Sequence, residues 1–472
     1  MHWNLNEIIK MNLARTLRAA ALASAFSLIQ ADQVLAQTFF PPDSAVKAIL
    51  SDRVARKRAM GIVVATFEQG RAPQIYSAGV SGIAGLPLDG NTIFEIGSIT
   101  KVFSNTILAD MVRKGEVSLD DPVAKYLPAR VHVPERNGKK ITLLDLATQS
   151  SGLPRLPSNL NPADATNPYA DYSVTQLYEF LSAYSLPRDI GSQYEYSNLG
   201  MGLLGHALAL RAGENYEALV KERVLAPLGM RESGITLAPS MKSHTAQGFN
   251  GNGTPVPLWD LPTLAGAGAL RSSANDMLKF LAANLDSTSV PLGKAMAMAH
   301  AVRKPIGSNN SIGLAWNTVE LFGTPVTWHN GGTGGYRTFI GMDLPHHRGV
   351  IVLSNSTNSP DDIGFHLLVP QVPMDVPAKV RTEVSIDPAK LDPYVGAYEL
   401  APNFQLVITK EGSSLFGQAT GQGKVQLYAE SETEFFLKVT DAQVTFVKGA
   451  DGKVDQLILH QGGANIPGHR VK

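Results

Sequence analysis

Two groups of strand signals, far apart in the chain, constrain its fold more than any other feature. Met60-Gly61-Ile62-Val63-Val64-Ala65-Thr66-Phe67 makes residues 59–67 read as a buried strand, with a partner around 73–80. Strand character returns only at 325–329, 336–343 and 348–354, the last built on Val350-Ile351-Val352-Leu353. Between the two groups helical periodicity prevails, from 98 to 230 and again over 269–285. One sheet must therefore be assembled from distant parts of the chain. The expected fold class is α/β (α+β): an antiparallel sheet flanked by helices plus an all-helical lobe, meeting at a cleft. A Pro/Asn/Asp-rich stretch from about 154 to 173 breaks the helical region, and long ordered loops often border sites.

After residue 369 the pattern changes. Pro370, Pro373, Pro377 and Pro388 punctuate a linker over 370–388. Short strands follow at 394–400, 404–410, 413–418, 424–430, 434–440, 443–448 and 454–460, with Asp451-Gly452 as a hairpin turn. This spacing suggests a small antiparallel barrel or curled sheet over 389–472.

The chemistry starts at Ser98-Ile99-Thr100-Lys101. If Ser98 to Lys114 is helical, residues three apart share a face and the lysine amine lies beside the serine hydroxyl. A neighbouring amine of lowered pKa can take the proton of an otherwise weak nucleophile. Free N–H groups at a helix start can receive a developing oxyanion. A second match, Ser44-Ala45-Val46-Lys47, reads as an exposed helix position. Ser98 is set apart by its company: Tyr196-Ser197-Asn198, then His329-Asn330-Gly331-Gly332. These three motifs fall at a helix start, a loop within the helical part and an edge strand.

The ordered triplet of Ser-x-x-Lys, Tyr-x-Asn and basic residue-x-Gly resembles class C β-lactamases and their relatives. Those relatives include D-Ala-D-Ala carboxypeptidases, D-aminopeptidases and esterases of β-lactamase fold. Phe94-Glu95-Ile96-Gly97, the stretch Ile141 to Pro154 ending in Ser151-Gly152-Leu153-Pro154, Asn198 to Gly205, and Pro227-Leu228-Gly229-Met230 are similar to the family too. The resemblance covers roughly 45–360 and implies a β-lactamase/transpeptidase-like domain over 37–369. The C-terminal segment resembles the lipocalin-like β-domain often appended to it. Carried over residue by residue, Ser98 is the nucleophile and Lys101 its base. Tyr196 is the second proton-transfer group, its phenolate favoured by Lys101, and Asn198 bridges Lys101 and substrate. His329, Asn330 and Gly331 bind substrate, with Gly331 letting it pass close to the strand. The N–H groups of Ser98 and Gly332 form the oxyanion hole. The chain departs from class C enzymes in carrying His329-Asn330-Gly331 where they have Lys-Thr-Gly. Histidine is mostly neutral at pH 7, which weakens the expected grip on carboxylates.

Composition narrows the rest. The 472 residues are 44% hydrophobic, and 41 Lys+Arg balance 41 Asp+Glu, so nothing points to nucleic acid. With no cysteine there are no disulfides, thiolate metal sites or lipid-modified cysteine. Arg15 and Arg18, the apolar run Ala19 to Ile29 and Val34-Leu35-Ala36 read as a signal peptide over 1–36, starting at Met1 or Met11, for export to the periplasm. No Gly-x-Ser-x-Gly elbow, His-Glu-x-x-His or nucleotide loop occurs, so no metal or organic cofactor is implied. His346-His347 reads as a hairpin cap. The expectation is an exported serine hydrolase acting on a β-lactam or D-alanyl-peptide-type amide through a Ser98 acyl-enzyme. A carboxylesterase on the same fold is the nearest alternative, then a non-hydrolysing penicillin-binding sensor. A purely structural cell-wall protein would require the motifs to be accidental.

Overall fold

The computed structural model describes residues 38–471 except 287, 289, 376–380, 402–403, 421–422, 439–441, 450 and 462–463. The segment read as a signal peptide lies outside the described residues. The chain divides into two compact units, one ending at Met374 and the other beginning at Asp375.

The first unit is organised by an eight-stranded sheet. Its spatial order is Gln74–Gly79, Gly61–Glu68, Arg348–Ser354, Arg337–Asp343, Thr324–Gly332, Asn317–Leu321, Asn310–Ile312 and Lys304–Pro305. Every neighbouring pair is antiparallel, and the early strand Gly61–Glu68 docks on the late strand Arg348–Ser354. Gly61 to Ala65 of the strand Gly61–Glu68 are apolar and buried because both faces are covered there. Successive side chains point to opposite faces, so Val63 and Ala65 enter the core of the helical lobe. Ile62 and Val64 enter a second core with Val46 and Leu50 of the helix Asp43–Ala55 and Ile363 and Leu367 of the helix Asp361–Leu368. Full burial of each such side chain contributes about 1.5–3 kcal/mol. Ser44 and Lys47 lie on the solvent side of Asp43–Ala55, so the second Ser-x-x-Lys match is a surface feature.

Thr100–Arg113 runs through the middle of the helical lobe, buried from Thr100 to Met111. Its polar residues are therefore obliged to find partners. Asn105 Nδ2 donates to the Lys101 carbonyl, Thr106 Oγ1 to that of Val102 and Ser104 Oγ to that of Gly266. Two sequence expectations need correction. The segment 269–285 is not one helix: Arg271–Ser273 is a strand paired with Ile93–Glu95, and the helix Ala274–Leu285 begins only after the Ser273 cap. Thr324–Gly332 is not an edge strand, since it is fifth of eight. Its neighbour Asn317–Leu321 stops at Trp328, however, so His329 to Gly332 leave one side of their backbone free of that strand.

The second unit is a closed barrel of eight antiparallel strands from Gly396–Ala401 to Ala464–Arg470. The last of these escaped the sequence reading. Pro467 is tolerated there because only His469 and Arg470 pair with the first strand, while Ile458 opposes Pro467 on the other side. Tyr394, Tyr398, Phe435 and Phe446 pack with Leu406, Ile408, Leu415 and Leu457 into one core. His346 and His347 do sit in the hairpin between Arg337–Asp343 and Arg348–Ser354, with His346 Nδ1 2.8 Å from Asp343 Oδ2. Among the described residues no helix is long and apolar enough to cross a membrane.

Candidate active site

The strand Ile93–Glu95 delivers the chain to a tight turn. Gly97 takes φ +50°, Gly97–Ile99 form a 3-10 turn, and the α-helix begins at Thr100. Thr100 secures the turn: its Oγ1 donates to the Gly97 carbonyl at 2.7 Å and accepts from Leu270 N at 3.1 Å. The turn lies against the free side of His329 to Gly332. A Cβ on Gly331 would sit 2.0 Å from the Ile96 carbonyl oxygen, and one on Gly97 would sit 2.7 Å from Gly332 N. What Gly331 admits is therefore the chain's own Ile96 carbonyl, not the passing substrate expected from sequence. Thr338 Oγ1 holds that carbonyl at 3.0 Å. The backbones of Gly97 and Gly332 consequently lie side by side, next to Ser98.

Lys101 lies one turn further on and is fully buried. Its Nζ is 2.9 Å from Ser98 Oγ, 2.9 Å from Asn198 Oδ1 and 2.6 Å from the Ala267 carbonyl. The Ala267 carbonyl can come this close because Gly266 meets Gly205 without side chains. A Cβ on either would lie 2.9 Å from the other's Cα. Burial, and then the Arg155 charge, hold the Lys101 pKa well below the ordinary lysine value. A neutral amine has two hydrogens. In that form Asn198 and Ala267 would accept both, turning the nitrogen lone pair toward the Ser98 hydroxyl.

Tyr196 and Asn198 flank Ser197, whose extended backbone puts residues two apart on the same side. Ser197 caps the helix Asn198–Ala212, accepting from Gly200 N at 2.8 Å and donating to the Pro154 carbonyl at 2.6 Å. Tyr196 OH donates to Ser98 Oγ at 2.6 Å. The phenolate expected from sequence is not favoured. Burial raises the Tyr196 pKa against the opposing effects of the Ser98 hydrogen bond and Arg155. Lys101 Nζ lies 4.9 Å from the ring centroid, over the face of the ring.

The third motif splits by strand alternation. His329 faces the site side, 3% exposed, with Nδ1 2.6 Å from the Asn330 carbonyl. Burial first, then Lys101, push its pKa down to about 3, so it is neutral. Asn330 points to the opposite face and donates to Asp361 Oδ2 at 2.6 Å. Its side chain is thus removed from the substrate-binding role expected of it. The period-two pattern of a strand already separates neighbouring side chains in this way. Sequence reading also missed three contributors: the Ala267 carbonyl, the exposed Arg155 and Tyr169. Tyr169 OH is 3.4 Å from Asn198 Nδ2, and its ring meets Trp259 edge-on at 5.4 Å. The loop 154–173 thus does border the cluster. Behind it, the buried Glu95 accepts from Trp259 N at 2.7 Å and lies 3.4 Å from Arg271 Nη2.

A sheet-and-helical-lobe domain in which Ser98, Lys101 and Tyr196 converge matches the arrangement that the sequence resemblance implied, and comparison with known proteins identifies the family. The family model described as Beta-lactamase matches residues 46–367, and a domain of unknown function (DUF3471) matches 380–468. The chain therefore belongs to the beta-lactamase family, the β-lactamase/D-Ala carboxypeptidase-like serine hydrolases. It is 26% identical over 416 residues to penicillin-binding protein 4* of Bacillus subtilis (strain 168), covering 82% of this chain and 89% of that one. It is 28% identical over 315 residues to the D-alanyl-D-alanine-carboxypeptidase/endopeptidase AmpH of Escherichia coli (strain K12), covering 59% and 80%. In fold it resembles the beta-lactamase/D-alanine carboxypeptidase from Yersinia pestis complexed with citrate. That likeness has a TM-score of 0.60 at 23% identity, over 70% of this chain and 100% of that one.

Proposed function

We propose that the protein is an exported acyl-serine hydrolase, cleaving β-lactam or D-alanyl-peptide-type amides through an acyl-enzyme on Ser98. The observation that carries this reading is the placing of Ser98 Oγ between Lys101 Nζ at 2.9 Å and Tyr196 OH at 2.6 Å. Neutral Lys101 takes the Ser98 proton as Oγ bonds to the carbonyl carbon. The N–H groups of Ser98 and Gly332 receive the oxyanion. The protonated Tyr196 gives its proton to the leaving nitrogen and regains one from Lys101, whose ammonium form Asn198 and Ala267 stabilise. Water then enters by the reverse proton path and frees Ser98. Relatives named as D-alanyl-D-alanine-carboxypeptidase and penicillin-binding protein support the amide reading.

One observation favours a second reading, a carboxylesterase. His329 is buried and neutral where class C enzymes carry a lysine, and ester cleavage needs no carboxylate grip. The two readings separate when purified protein is assayed on a chromogenic cephalosporin, a D-Ala-D-Ala peptide and a p-nitrophenyl ester. Amide turnover supports the first reading, and ester turnover alone supports the second. Ser98→Ala should abolish covalent labelling by a fluorescent penicillin or activated ester. Persistent labelling of the folded variant at the active-site peptide would sink both.

A further inference from the structure

Arg155 follows directly on Ser151-Gly152-Leu153-Pro154, where the loop 154–173 leaves the catalytic cluster. Its backbone is anchored: the carbonyl accepts from Asn198 N at 3.0 Å and Leu199 N at 3.2 Å, in the first turn of the helix Asn198–Ala212. Its side chain is exposed, with the guanidinium carbon 5.0 Å from the Tyr196 ring centroid. Among the described residues no carboxylate pairs with that guanidinium and no carbonyl accepts from it. Stacking on a ring orients an arginine while leaving its five N–H donors free. Its charge is felt across the site: it lowers the Lys101 pKa and opposes the burial that raises the phenols of Tyr169, Tyr194 and Tyr196. Other basic groups among the described residues also lie near the cluster, each with partners or without charge at the atoms that face it. Lys101 is buried among three partners, His329 is neutral, and Arg337 spends Nη1 on the Thr333 and Tyr336 carbonyls at 2.7 and 2.8 Å.

We propose that Arg155 is the anion-binding residue of this cleft, receiving a substrate carboxylate in bidentate fashion while Ser98 attacks the scissile carbonyl. The inference rests on the Ser98 reading above and deepens it. It gives the protein a selectivity for carboxylate-bearing acyl substrates that does not depend on a lysine at position 329. A planar guanidinium matches a carboxylate with two parallel N–H bonds, and Arg155 already stands beside the phenol that touches the nucleophile.

The test uses two matched p-nitrophenyl esters, one neutral and one ending in a carboxylate, with the full chain and its Arg155→Gln and Arg155→Lys variants. In Arg155→Gln the KM for the carboxylate ester should rise about five-fold relative to the neutral one, the upper end for a partly exposed ion pair. Arg155→Lys should restore part of the difference, and added salt should shrink it in the unmodified protein. The acid limb of kcat/KM against pH should also move to higher pH in Arg155→Gln for both esters. Without that charge Lys101, otherwise faced by the neutral His329 and the protonated Tyr196, holds its proton longer. A KM ratio that does not change, or an acid limb that stays in place, overturns the proposal. Ser98→Ala run alongside separates the two readings. Continued ester cleavage by that variant defeats the nucleophile assignment whatever Arg155 does.

Discussion

Glu95 shows how a single residue ties stability to pH. Its carboxyl is 3% exposed, and burial pushes its pKa up to about 7 from 4.5. Arg271 and the Trp259 N–H oppose that rise, and the Asp260 charge adds to it. Oε2 and Thr333 Oγ1 nevertheless lack hydrogen-bond partners among the described residues, so the carboxylate is under-satisfied. Between pH 4.5 and 7 the folded protein keeps a proton that the unfolded chain has released. The stability Glu95 contributes is therefore full below pH 4.5 and is lost as pH rises through 7. At about 1.4 kcal/mol per pH unit that loss is on the order of 3 kcal/mol. Glu95→Gln should flatten this part of the melting temperature's pH dependence. Parallel curves for the two proteins from pH 5 to 8 would refute the assignment. At this scale the clustering of Ser98, Lys101, Tyr196 and Asn198 was legible because each sits in a motif with a polar side chain. The Ala267 carbonyl was not, since any residue carries one. Arg155 was not, since an exposed arginine in a loop has no pattern to betray it. Asn330 was misread because the motif was taken as a unit, when strand alternation sends its neighbours apart.

Among the elements, the contact of the 96–98 turn with the strand end 329–332 decides the site's precision. Gly331→Ala would drive a methyl into the Ile96 carbonyl, which must retreat and carry Ser98 with it. A displacement near 1 Å at a reacting atom costs about 100-fold in rate. Labelling of Ser98 by an activated ester should slow accordingly while circular dichroism still reports a folded protein. A labelling rate equal to that of the unmodified chain would show that the turn does not lean on this strand. The long apolar strands and the capped helices were readable because periodicity and burial coincide in them. Arg271–Ser273 was hidden because its strand character comes from pairing with Ile93–Glu95, not from its own side chains. Asp361–Leu368 was hidden by Gly364, a poor helix former that lies against the Phe339 ring.

At the scale of the whole molecule, each unit carries its own core, and the serine, lysine, tyrosine and glycine groups of the proposed chemistry all lie before Met374. A chain ending at Met374 should fold and keep Ser98 reactive toward a small activated ester. A shortened chain that melts cooperatively yet fails to label would show that the barrel completes the site. The barrel itself was legible as a succession of short strands, but its last strand was not. The closing strand carries Pro467 and Gly468, which local propensity assigns to a turn.

The pairing of Gly61–Glu68 with Arg348–Ser354 also dictates how late in folding the Ser98 cluster can assemble. A ribosome delivers Ser98 and Lys101 early, but the strand that carries Gly332 and the one that seats the first strand emerge almost at the end of the catalytic unit. Contacts so distant in sequence form slowly. A growing chain therefore holds Ser98 and Lys101 apart from their later partners until its last strands are made. The cluster forms as one late event, when those strands close the sheet.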